Sequence, residues 1–183
     1  PGMSNEVIDR LTRLANDFDA RVQAAPADSW GNPAPCEGWT ATDVVEHVCG
    51  SANGMAAALT GSAKVEFDRA DPVGSWNGAK ERLLAAVNSA DLAQTVPGPF
   101  GPMPAEQLIG RLMSMDMLVH TWDLARAVGG DERLDQDAVE RGYSGLKPMD
   151  AMIRQPGVFG PKIDPAEGDD LQTEFLKFLG RNV

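Results

Sequence analysis

Two histidines, His47 and His120, stand one helical turn past aspartates, Asp43 and Asp116. Residues four apart on a helix share a face, with Cβ atoms about 5–6 Å apart, so Asp116 and His120 can address one ion from consecutive turns. Both histidines fall on otherwise apolar faces. His47 lies among Val44, Val48 and Ser51, and His120 belongs to the row Leu112, Asp116, His120, Leu124. A carboxylate on such a face needs a cation or a donor, because a bare buried charge is strongly unfavourable. A divalent metal ion meets that need, with His47 from a facing helix as the third ligand beside Asp116 and His120. Two hydrogen-bonded core histidines beside a carboxylate are the other arrangement the spacing allows, since Asp-x-x-x-His is common by chance.

The neighbouring residues carry weaker expectations. Asp123 lies one turn beyond His120 and either accepts a hydrogen bond that orients the ring or forms an ordinary cap or salt bridge. Glu46 adjoins His47 but points about 100° away, a solvated position. Trp39, Trp76 and Trp122 read as core and staple residues rather than a ligand cage, and Arg82, Arg111 and Arg126 are the arginines available to an anionic ligand. Cys36 and Cys49 form no Cys-x-x-Cys pattern and read as two free, partly buried thiols in a reducing cytoplasm, a disulfide or a reactive Cys36 being the alternatives. No side chain stands out as a catalytic base or nucleophile.

These residues must be held by helices. Ser4 can cap a first helix with Ile8, Leu11, Ala15, Phe18 and Val22 at helical spacing, ending before Pro26. Thr40 and Asp43 form a carboxylate variant of the capping box, with Trp39 and Val44 placed as a hydrophobic staple, and Gly61 closes that second helix. Asp71-Pro72 opens a third, whose inner face is Trp76, Leu83 and Val87. Residues 96–104 hold four prolines and two glycines and read as an ordered loop or lid. A fourth helix runs from about Pro104 to Val128, ahead of Gly129-Gly130, and shorter helices are expected over 135–146 and 169–179. The expected fold is all-α, an antiparallel four-helix bundle with short C-terminal helices, forming one domain over residues 3–183. Pro1 and Gly2, ahead of Met3, read as a cloning remnant.

Charge and hydropathy narrow the function. A net charge of −11, from 16 Lys+Arg against 27 Asp+Glu, disfavours nucleic acid and anionic membranes. No signal peptide is evident, and apolar runs are too short to span a bilayer. A cytoplasmic protein with a small-molecule substrate is the expectation, with a homodimer left open.

Pro35-Cys36-Glu37-Gly38-Trp39-Thr40, followed by Asp43 and His47, resembles the opening motif of an actinobacterial DinB-like family that includes the metal-binding domain of mycothiol-dependent maleylpyruvate isomerase. Asp116 to Ala125 resembles its second motif, and Leu176 to Arg181 is similar to the tail of its short, stand-alone members. The resemblance implies a DinB-like bundle with a divalent ion on His47, Asp116 and His120. Asp116 departs from the glutamate of the isomerase by one methylene. Zinc is the expected metal, while nickel, iron and manganese suit the same donors. The implied activity is a metal-dependent thiol transferase or isomerase with mycothiol as co-substrate. Three protein donors leave coordination positions open, as in catalytic sites. Metal or small-ligand binding without turnover, or a pathway-specific metalloenzyme that uses no thiol, are the alternative readings. The isomerase carries a second domain after its bundle, whereas only about 50 residues follow Gly130 here.

Overall fold

Four long amphipathic helices bury their apolar stripes against one another, and loops and short helices close the ends. The computed structural model describes residues 2–156 and 158–183. Helix α1 (Gly2–Ala24) buries Leu11, Leu14, Phe18 and Val22. It begins ahead of Ser4, so Ser4 is no cap; its hydroxyl instead donates to Glu106 at 2.6 Å. Helix α2 (Ala41–Thr60) has the expected capping box. The Asp43 N–H donates to the Thr40 hydroxyl at 3.3 Å, and the Thr40 N–H donates to the Asp43 carboxylate at 2.8 Å. Gly61, at φ 71°, takes the left-handed turn that ends it. Asp71 caps α3 (Pro72–Ser89) by accepting from the Gly74 N–H at 2.9 Å.

The proline-rich loop is tied at its ends by a small antiparallel ribbon, β1 (Thr95–Val96) against β2 (Met103–Pro104). The fourth rod follows, but not as one regular helix. A short α4 (Ala105–Leu108) leads into a π-helical turn, Ile109–Met113, and then into α5 (Ser114–Val128). The Ser114 N–H bonds back to the Ile109 carbonyl, one residue further than an α-turn allows. The apolar stripe runs unbroken through the π turn, so periodicity alone could not reveal it. Helix α6 (Gln136–Leu146) and α8 (Leu171–Phe178) match the expected short helices; a 3₁₀ turn (Lys147–Met149) and α7 (Asp150–Ile153) were not foreseen.

Side-chain links set the helix directions. Gln23 near the end of α1 donates to Asn77 near the start of α3 at 2.8 Å, so those helices are antiparallel. Ser4 meets the start of α4 while Arg21 donates to carbonyls just past α5, so α1 and α5 run parallel. Asn32, ahead of α2, donates to the carbonyl of Ala127 at the end of α5, making α2 and α5 antiparallel. Arg69, ahead of α3, pairs with Asp43 and Glu46 on the first turns of α2, so α2 and α3 run parallel. Around the bundle the order is α1, α3, α2, α5, two helices up and two down. The connector 61–71 permits this. Extended, it reaches about 36 Å, enough to return along a helix of about 30 Å. No helix of the described residues is long and apolar enough to cross a membrane.

Candidate metal centre

The antiparallel pair α2 and α5 brings His47 opposite the Asp116–His120 row. Asp116 sits between the two rings: its Oδ2 is 2.9 Å from His47 Nε2 and its Oδ1 is 3.3 Å from His120 Nε2. The three donor atoms lie within 4.8 Å of one another. In a tetrahedral site with bonds near 2.1 Å, donors stand about 3.4 Å apart, so small shifts would seat an ion. The sequence-expected residues are therefore together, at the floor of a cavity of about 1710 Å³ that they help to line. Asp116 remains 30% exposed and His47 38%, so the floor is open to what the cavity holds.

The Pro35–Thr40 segment forms the rim above them. The Trp39 N–H donates to the Cys36 carbonyl at 3.0 Å across a tight turn in which Gly38 adopts φ 78°. That turn lays the Trp39 ring over both imidazoles, stacked on His120 at a 5.8 Å centroid distance and tilted on His47 at 5.3 Å. Trp76 and Trp122 are core residues as expected, but Trp39 is a wall of the cavity.

Behind His120 lies a second polar group. Asp123 is fully buried, and its Oδ2 is 2.8 Å from His120 Nδ1. Arg181 grips the same carboxylate with two bonds, Nε to Oδ1 at 3.1 Å and Nη2 to Oδ2 at 2.7 Å, and the Cys36 thiol donates to Oδ2 at 3.2 Å. Gly180 at φ 86° turns the chain after α8 so that Arg181 points inward, and the Arg181 N–H closes on the Leu176 carbonyl at 2.8 Å. Cys36, His120 and Asp123 could by spacing form a second donor set, but the guanidinium at Asp123 already supplies the cation there.

The two carboxylates flanking His120 thus differ. Asp123 has a fixed cation, whereas among the described residues Asp116 meets only imidazoles. Burial pushes the Asp116 carboxyl up, but the charge and hydrogen bond of His120 and the bond from His47 outweigh it and hold the carboxyl well below its usual range. Burial likewise opposes a charge on His120, yet Asp116 and the bonds to Asp116, Asp123 and Cys36 hold its pKa well above the ordinary histidine value. Asp123 is raised by burial and lowered more by its bonds with His120 and Arg181, to about 2. With protons as the only cations, the site balances Asp116 by charging an imidazole. A dication balances it equally and takes the place of those protons. Two imidazoles and a carboxylate, open on one side, suit such an ion.

Glu46 pairs with Arg69 at 2.7 Å on the surface. Arg82 bonds Asn53, Arg126 pairs with Glu132 over Trp122, and neither these nor Arg111 lines the cavity. The cavity's arginines are Arg154 and Arg181. Both cysteines are free; Cys49 is buried and Cys36 lines the cavity. Arg181 carried no periodic signal, and only its place in the resemblance marked it.

Residues 11–125 match the family described as the mycothiol maleylpyruvate isomerase N-terminal domain. Two uncharacterized proteins of Mycobacterium tuberculosis, Rv0738 of strain H37Rv and MT0763 of strain CDC 1551, are each 32% identical over 175 residues, covering 93% of this chain and 95% of theirs. A crystal structure of the mycothiol-dependent maleylpyruvate isomerase shares the fold with a TM-score of 0.61 at 17% identity, covering 83% of this chain and 70% of that one. A mutant of that enzyme gives a TM-score of 0.62 at 15% identity. This chain belongs to the mycothiol maleylpyruvate isomerase N-terminal domain family.

Proposed function

We propose that the chain is a divalent-metal-dependent S-transferase, or a related isomerase working through a thiol adduct, that joins a mycothiol-type thiol to a small electrophile. The observation that carries this reading is the charge balance at the cavity floor: Asp116 faces the cavity between two imidazoles and has no arginine or lysine partner among the described residues. His47, Asp116 and His120 would hold the ion, with zinc the first candidate. Bound there, a divalent ion supplies Lewis acidity that lowers the pKa of a thiol or a water.

The chain's own residues supply the rest. Asp123 accepts from His120 Nδ1 and keeps Nε2 turned to the cavity. Trp39 packs against both imidazoles and helps keep His120, only 6% exposed, from bulk water. A cavity of about 1710 Å³ exceeds the roughly 300–1,000 Å³ of a single-ligand pocket, which leaves room for a thiol cosubstrate and an electrophile together. Its walls are mixed, with Leu108, Leu112 and Met113 on one side and Arg154 and Lys162 on another.

The test is elemental analysis of the dialysed protein, followed by loss of an electrophile with and without mycothiol. One ion per chain and thiol-dependent turnover support the reading. Tight ligand binding without turnover replaces it with a binding protein, and turnover without thiol replaces it with a metalloenzyme of other chemistry.

A further inference from the structure

His120 is held at both ring nitrogens, and the partner of Nδ1, the buried Asp123, is itself held by a residue distant in sequence, Arg181 at the cavity wall. Asp123 Oδ2 lies within hydrogen-bond reach of three donors, His120 Nδ1 at 2.8 Å, Arg181 Nη2 at 2.7 Å and the Cys36 thiol at 3.2 Å, and Oδ1 takes Arg181 Nε at 3.1 Å. Arg181 also donates from Nη1 to the Leu179 carbonyl at 3.0 Å, which braces the guanidinium against the end of α8. A carboxylate gripped by a planar fork has little freedom to rotate. Its acceptor oxygen therefore presents one fixed direction to His120. Without the fork, a buried carboxylate would turn, or take up a proton, and would no longer select one imidazole nitrogen.

We propose that Arg181 is a positioning residue: acting through Asp123, it keeps His120 protonated at Nδ1 with Nε2 turned to the cavity, and so completes the donor set from the segment after α8. Arg181 also neutralises Asp123. The two carboxylates beside His120 are then unequal by construction of the fold, one satisfied by a guanidinium and the other left for a cation in the cavity. The inference rests on the metal reading above for its consequence, but not for its geometry.

The experiment has two arms. Histidine-selective ¹⁵N NMR follows the Nδ1–H of His120, and with two histidines in the chain a His47→Ala spectrum assigns it. Chelator competition measures zinc affinity. The wild type is expected to show a slowly exchanging Nδ1–H. Arg181→Ala is expected to lose that signal and weaken zinc binding about 10–100-fold, as removal of an outer hydrogen-bond partner does. Arg181→Lys keeps the charge but not the fork, and is expected to fall between them. Gln172→Ala is the control for loose docking of α8, since Gln172 ties that helix to Leu134 and Glu132 without touching Asp123; it is expected to lower the melting temperature and leave signal and affinity intact. Wild-type signal and affinity in both Arg181 variants overturn the proposal, and so does an equal loss in Gln172→Ala. A wild type that takes up no zinc overturns the metal reading instead, and the Nδ1–H arm then decides this proposal alone.

Discussion

At Asp116 a one-atom change separates charge from shape. Asp116→Asn keeps an oxygen that can coordinate weakly but removes the negative charge that balances the ion, whereas His47→Ala and His120→Ala each remove one of three donors. Metal stoichiometry after dialysis should therefore fall most in the two histidine variants and less completely in Asp116→Asn, while Glu46→Gln, whose partner is Arg69, should match wild type. Wild-type metal in both histidine variants would place the ion elsewhere. The cysteines give a separate check. Burial pushes the Cys49 thiol up to about 12, so between pH 9 and 12 the unfolded chain forms a thiolate that the folded chain does not, and stability falls as pH rises through that window. At pH 8 an alkylating reagent should modify Cys36, which lines the cavity, and reach Cys49 only in denaturant; rapid native modification of both would refute the burial. The clustering of His47, Asp116 and His120 was legible because Asp116 and His120 share a helical face and His47 lies on another. The bonds that Arg181 and Cys36 make to Asp123 were not, because both residues arrive from loops, and Arg181 stands 58 residues from the aspartate it grips.

Elements defined by local chemistry could be read directly, and those defined by packing could not. Thr40, Asp71 and Gly61 announce their roles because a capping hydroxyl, a carboxylate before proline and a left-handed glycine act within one turn. Thr40→Ala should lower stability by about 1 kcal/mol in a denaturant melt; no change would mean the box contributes nothing. The π turn at Ile109–Met113 and the inward stacking of Trp39 depend on neighbours from other parts of the chain. Gly110, for instance, lies where a Cβ would stand 3.3 Å from Val7 on α1. Gly142 on α6 faces the Met115 side chain, one residue before Asp116, with no space for a Cβ unless that side chain moves. Gly142→Ala gains about 1 kcal/mol of helix propensity but must displace the buried Met115 thioether at an overpacking cost of about 1–3 kcal/mol, so a net loss of up to about 2 kcal/mol is expected, read as a lower melting temperature.

Over the whole molecule, the net charge of −11 repels phosphate, and no retardation of duplex DNA is expected in a gel shift at physiological salt. Micromolar binding that weakens with added salt would reverse that expectation. The two-up, two-down arrangement has a further consequence, in time rather than space. Of the adjacent pairs in the bundle, only α2 and α3 follow one another in sequence; α1 must find α3 and α5, and α2 must find α5, across long stretches of chain. Such distant pairings slow folding relative to a simple up-and-down bundle. His47 and Asp116, 69 residues apart, meet only when α2 and α5 dock. We expect the α2–α5 docking that creates the site to be completed after the barrier, in which case zinc leaves the refolding rate unchanged and slows unfolding by the whole of its stabilisation. Stopped-flow chevrons with and without zinc would show this as a shift confined to the unfolding limb.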